Sequence, residues 1–162
     1  MNEVANKDSL KLFLTNPIFL ACLCSWIIAQ FIKTIINLIY GKLHSTSEVL
    51  ENLFWRTGGM PSSHSALVAS LCTTIGFKSC FSSDVFMLSL AFFFVTIRDA
   101  FGVRRSSGIQ SNKLNNIGKQ LKEKNVIDDY HPLKEVNGHT PMQVILGVCL
   151  GVIVGFAFSF LK

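Results

Sequence analysis

The chain has 162 residues, of which 49% are hydrophobic and only 15% charged, with a formal net charge of +5. Soluble domains carry roughly 25% charged residues, so this balance excludes an ordinary soluble globule and points to a bilayer. The length suits one domain, read here as a single integral membrane domain over 1–162, with a tail at 1–16 and a polar loop at 106–132.

The tail carries Glu3, Lys7, Asp8 and Lys11, and no small-residue cleavage site follows the first hydrophobic run, so no cleavable leader is expected. Pro17 to Tyr40 is apolar apart from Gln30, Lys33 and a few small polar groups, and is long enough to cross a bilayer. Gln30 and Lys33 stand three apart and share a helix face. An ionisable residue at that depth is expensive: either it serves a site or it snorkels to the headgroups. Gly41 to Thr57 is a polar linker in which Val49, Leu50, Leu53 and Phe54 have helical spacing, predicting a short interfacial helix with Trp55 as its anchor. Arg56 stands just before the glycines that follow.

Gly58 to Leu67 reads G-G-M-P-S-S-H-S-A-L. Pro61 suits a first helical turn and serine is a strong N-cap, so this stretch predicts a helix start with a positive dipole end that attracts anions. His64 would sit in the first turn beside such an anion. The alternative is a capped helix carrying a surface histidine. The helix it opens, Ser65 to Phe77, is short and dotted with Ser and Thr, so neighbours must shield it. Val85 to Ile97 is a further apolar block, ending at Arg98, Asp99, Arg104 and Arg105. An acid among arginines is either a structural ion-pair cluster or a phosphate-binding set, since the guanidinium fork matches phosphate oxygens.

Ser106 to Asp129 is the most polar stretch, with a weak amphipathic stripe of Ile109, Leu114, Ile117 and Leu121 that predicts a surface helix. Its lysines lack aromatic interleaving, so no nucleic-acid partner is expected. Gly138-His139-Thr140-Pro141 then repeats the design of the earlier helix start, ahead of the Gly- and Val-rich span Met142 to Leu161. The cysteines (Cys22, Cys24, Cys72, Cys80, Cys149) lie mostly in apolar segments without ligand spacing and read as small hydrophobes. No acidic metal cluster, P-loop or GxSxG elbow is present, and neither metal nor cofactor is expected.

These segments predict an all-α polytopic membrane bundle of about four hydrophobic helices plus short interfacial ones. Lys33, His64, Arg98, Asp99 and His139 then fall toward one membrane face. Counted by side, Lys7, Lys11, Lys78 and Lys162 oppose the basic residues of the 41–61 and 98–141 loops, so the positive-inside rule puts those loops in the cytoplasm of a multi-pass protein of the cell (inner) membrane. Two imidazoles, cations and helix starts on one face are the parts of phosphoryl transfer. One histidine attacks phosphorus, the other protonates the leaving oxygen, and the cations hold the remaining oxygens.

Gly58 to Ala66, Asp99-Ala100-Phe101-Gly102-Val103-Arg104-Arg105, Gln110 with Leu114-Asn115, and Gly138-His139-Thr140-Pro141 together resemble the divergent branch of the type 2 phosphatidic acid phosphatase superfamily, also described as acid phosphatase/vanadium-dependent haloperoxidase-related. The resemblance runs from about Gln30 to the end of the chain. It implies a membrane phosphatase fold, an anionic lipid or prenyl phosphate as substrate, His64 as general acid and His139 as nucleophile through a phosphohistidine. Lys33, Arg56, Ser62, Ser63, Arg98, Asp99, Arg104, Arg105 and Gln143 would bind or orient the phosphate. The chain departs from the superfamily at Gln143, where an aspartate is usual, at Leu133, where an arginine is usual, and at Tyr40 in the early Lys…Arg-Pro motif. Those departures give a second reading, a non-catalytic binder of an anionic lipid headgroup or phosphate. A third is a scaffold or transporter subunit in which the motifs only pack helices. A bundle this thin is compatible with a homodimer.

Overall fold

The computed structural model describes residues 2–41, 45, 48–50, 59–133 and 140–161. They form α1 (Asn2–Leu14), α2 (Pro17–Ile39), α3 (Ser63–Ser79), α4 (Asp84–Phe101), α5 (Val103–Glu123) and α6 (Pro141–Ser159), with no strand among the described residues. The expected tail is thus largely helical. The expected interfacial helix after Gly41 is described only at 48–50, which are helical; Leu53, Phe54 and Trp55 lie outside the described residues.

Local chemistry sets the boundaries. Asn16 caps α2 by accepting from the Ile18 and Phe19 amides at 2.8 and 3.4 Å, with Pro17 at the first position, where no amide is needed. Ser83 caps α4 by accepting from the Phe86 amide at 3.2 Å. Ser62 caps α3, so Pro61 stands before the cap instead of inside the first turn as expected. Thr140 and Pro141 open α6 as the sequence predicts.

α3 is the centre. It packs against α2, α4 and α6, most extensively α6. Among the described residues, three helical stretches are long and apolar enough to cross a membrane: Pro17–Ile39, the stretch beginning at Asp84, and Pro141–Ser159. α3 supplies the fourth expected helix, and its Ser-, Thr- and Ala-rich surface is shielded by those neighbours. Ala66, Val68, Ala69, Cys72 and Ile75 are all buried, as are Ser65, Ser70 and Thr74.

The α3–α6 contact explains why small residues sit at the middle. Gly147, Gly151 and Gly155 repeat every four residues and present one bare stripe. A Cβ on each would fall 2.4, 2.2 and 2.7 Å from the carbonyl oxygens of Ser62, Ala66 and Ser70 respectively. The two backbones therefore touch, in the small-xxx-small manner of membrane helices. The matched order of these pairs makes α3 and α6 parallel. Thr74 Oγ1 donates to the Gly155 carbonyl at 3.2 Å in the same seam. α2 runs antiparallel to α3, joined by the Ser25–Ser70 hydroxyl pair at 2.8 Å, and it also packs on α6. α4 returns antiparallel after a four-residue turn, rests mainly on α3 and leaves its other side outward, with Leu88 72% and Val95 67% exposed.

One end of the bundle thus gathers the end of α2, the start of α3, the end of α4 and the start of α6. At the other end the Lys78 ammonium donates to the Leu161 carbonyl.

Gly151→Leu should be among the most damaging single changes, because the side chain would enter space filled by the Ala66 carbonyl and Ala69. Overpacking typically costs about 1–3 kcal/mol, and a larger loss is expected where backbone is the obstacle. Ser70→Ala should cost only about 0.6 kcal/mol, the average for an interhelical hydrogen bond in a bilayer. Thermal unfolding of the two variants in the same detergent checks the ranking, and equal midpoints would contradict the packing.

Candidate functional site at the paired helix starts

Two helix N-termini meet at this end because the glycine stripe brings α3 and α6 together in parallel. The Ser62 amide donates to the Gln143 carbonyl at 2.9 Å, tying the cap of α3 to the first turn of α6. Ser62 Oγ accepts from the Ser65 amide at 3.4 Å and from Ser65 Oγ at 2.9 Å. On α6, Gln143 Oε1 accepts from the Thr140 amide at 3.0 Å, and the Gln143 and Val144 amides donate to the Thr140 carbonyl. Each helix start carries roughly half a positive charge. Two such ends side by side repel one another, and an anion in front of them relieves that repulsion.

Lys33 comes to this place from α2. It is only 3% exposed, so the side chain does not snorkel to solvent. Its stem lies against Gly59, where a Cβ would stand 2.9 Å from both Lys33 Cγ and Cδ. Gly59 also has φ +103°, which side-chain-bearing residues rarely adopt. The turn leading into α3 therefore closes over Lys33 only because residue 59 is glycine. One turn deeper on α2, Gln30 is buried with Oε1 lacking a hydrogen-bond partner among the described residues, and its carbonyl accepts from Thr34 Oγ1 at 2.9 Å.

The other expected site residues fall as follows. Ser63 is buried in the first turn of α3, beside exposed His64. Arg98 is exposed in the last turn of α4, Asp99 is half-buried beside it, and Arg105 is exposed on α5. Among the described residues α4 makes no contact with α2, so Arg98 and Asp99 stand across α3 from Lys33. Arg56 and His139, and the side chain of Arg104, lie outside the described residues. The structure thus brings together Lys33, Ser62, Ser63 and Gln143 at one end of the bundle, with exposed His64 in the same first turn of α3.

Gln143 stands where an aspartate is usual and is expected to bind or orient the phosphate; its Oε1 accepts from the Thr140 amide of its own helix start. Leu133, at the position of a usual arginine, is held by its backbone: Asn115 Oδ1 accepts from the Leu133 amide at 2.8 Å and Nδ2 donates to the Leu133 carbonyl at 2.9 Å. The Tyr130 hydroxyl also donates to Asn115 Oδ1, at 2.7 Å. Asn115 therefore clamps the strand of chain that precedes the 134–139 connection, while Gln143 holds the residue that follows it.

Three features escaped the sequence reading. The Gly147–Gly151–Gly155 spacing was legible as a bare helix stripe, but only its richness in glycine was read. The Gly59–Lys33 contact joins residues with no sequence pattern in common. Asn115 gave no signal beyond its place in the Leu114-Asn115 motif, because its partner lies eighteen residues on.

The chain matches the divergent PAP2 family over residues 14–154. It is 33% identical over 157 residues to the uncharacterized membrane protein YuiD of Bacillus subtilis (strain 168), covering 91% of this chain and 96% of the relative. No solved structure matches it. With an all-helical membrane architecture and a family match that takes in Lys33, the Gly59–His64 turn, Asn115 and the start of α6, the chain belongs to the divergent PAP2 family.

Proposed function

We propose that this protein is a membrane-embedded, metal-independent phosphatase-like protein that acts on a lipid or prenyl phosphate through a phosphohistidine. The observation that carries the reading is the buried Lys33 packed against Gly59, directly before the α3 cap that is bonded to the start of α6. A phosphate in front of the paired helix starts meets two positive dipole ends and a cation from α2, in a setting where such charges act strongly because water is scarce.

The chemistry then needs a nucleophile and an acid. His139 immediately precedes the α6 cap in the chain, and His64 sits in the first turn of α3. In this reading the His139 imidazole attacks phosphorus as the ester P–O bond breaks, and His64 gives its proton to the leaving oxygen. Water then attacks the phosphohistidine, returning His139 and releasing phosphate. Arg98, in the last turn of α4, and Arg105, on α5, lie toward the same end of the bundle, and Arg56 and Arg104 are the further cations this reading draws on. The family's membrane setting favours a substrate whose tail lies in the bilayer and whose phosphate reaches the interface.

A second reading keeps the phosphate and drops the chemistry. It is favoured by Gln143, whose Oε1 is engaged by the Thr140 amide. A neutral amide cannot stabilise an imidazolium by charge as a carboxylate does.

Vanadate, which mimics pentacoordinate phosphorus, separates these. The purified protein should bind vanadate, and Lys33→Met should weaken binding by about tenfold or more, the loss for a hydrogen bond to a charged group. Turnover of phosphatidate or a prenyl diphosphate should vanish in His139→Ala while vanadate affinity persists in part. Vanadate binding without turnover in the wild type selects the non-catalytic reading, and no vanadate binding at all sinks both.

We also propose that the loops at the site end face the cytoplasm, from the basic residues they carry. Cys80 lies in the turn at the opposite end, exposed, and its thiol is pulled below its ordinary range, first by the Ser82 hydroxyl at 3.4 Å. A lowered value means more thiolate at a given pH, so an impermeant maleimide should label Cys80 from outside intact cells. Its rate should rise at lower pH than in Ser82→Ala. Labelling only after the membrane is opened would reverse the orientation.

A further inference from the structure

α5 is not explained by the bundle or by the proposed phosphate chemistry. Among the described helices it contacts only α4, from which it is separated by Gly102. The backbone there (φ −99°, ψ −80°) departs from helical values, and glycine is a usual place for a helix to change direction. One flank of α5 is already covered. Asn115 holds Leu133, and the Tyr130 ring lies on Gly118, where a Cβ would come 2.2 Å from the ring.

Beside that flank the helix is apolar and open. At 3.6 residues per turn, Val103, Leu114 and Ile117 fall within an arc of about 60°. They are 67%, 53% and 53% exposed. Half-buried Leu121 continues the same stripe. Lys113 projects from its edge, and over the whole helix Arg104, Arg105, Lys113, Lys119 and Lys122 stand against the single acid Glu123. An apolar stripe with Lys113 on one side and Lys122 on the other, on a helix with an excess of cations that follows the outward-facing α4, has the make-up of an interfacial membrane helix.

We propose that α5 is a docking surface for anionic phospholipid headgroups in the leaflet at the site end of the bundle. Val103, Leu114 and Ile117 enter the headgroup–acyl boundary, and Lys113 and Lys122, on opposite sides of the stripe, meet the lipid phosphates. The bilayer is the occupant favoured over a protein partner, because α5 directly follows the apolar, outward-facing α4 in the chain and its charge excess complements an anionic leaflet. This inference stands whether or not the site hydrolyses phosphate.

The test is hydrogen exchange of the full-length protein, one copy per nanodisc, in phosphatidylcholine alone and with phosphatidylglycerol added. Residues 103–123 should exchange more slowly in the anionic discs, and high salt should remove the difference. Combined Lys113→Gln and Lys122→Gln should erode the lipid dependence by about fivefold per lysine. Leu114→Ser with Ile117→Ser should speed exchange in both lipids, while α3 exchange, unchanged, reports an intact fold. Equal exchange of 103–123 in neutral and anionic discs would overturn the proposal. So would protection that survives the lysine changes, or that arises only with two copies per disc, which would assign the stripe to a second chain.

Discussion

Everything at the proposed site depends on two backbones touching. Gly147, Gly151 and Gly155 let α6 lie directly on the carbonyls of α3, a contact that any side chain on the stripe would forbid. Within a bilayer, apolar side chains gain little by leaving lipid for one another, so close packing and interhelical hydrogen bonds must hold helices together. The α3–α6 seam supplies both, through the glycine stripe and through the Thr74 hydroxyl on the Gly155 carbonyl. α3 can be rich in Ser, Thr and Ala because it is the partner that such a stripe requires.

The parallel sense of this contact has an electrostatic consequence. Antiparallel neighbours cancel their dipoles; parallel neighbours add them. α3 and α6 place two positive ends together, and the Ser62–Gln143 hydrogen bond holds them in register. α2, antiparallel to both, cannot add a helix start there, but contributes Lys33 from its last turns. An interior glycine contact thus decides which end of the bundle can attract an anion.

Polar residues elsewhere follow the same economy. The Ser25–Ser70 pair and the Thr34 bond to the Gln30 carbonyl satisfy hydroxyls that lipid could not. Outside the bundle, Asn115 does for the connecting chain what a strand partner would do, pairing with both the amide and the carbonyl of Leu133. With Gln143 on Thr140, both flanks of the 134–139 connection are held.

By itself the sequence determined the all-helical membrane class and the starts of α2 and α6, because apolar length and first-turn prolines act locally. It also carried the family, through motifs at helix starts, and it placed Lys33 too deep for an ordinary surface charge. It could not decide that the tail is helical, that Pro61 precedes the α3 cap, or that Gln143 accepts from the Thr140 amide, since each depends on what surrounds the residue. Nor could it show that Lys33 lies beneath Gly59 or that Arg98 and Asp99 stand on the far side of α3. Those placements are fixed by which helices touch, and that choice belongs to the glycine stripe, whose meaning emerges only when a second helix is laid against it.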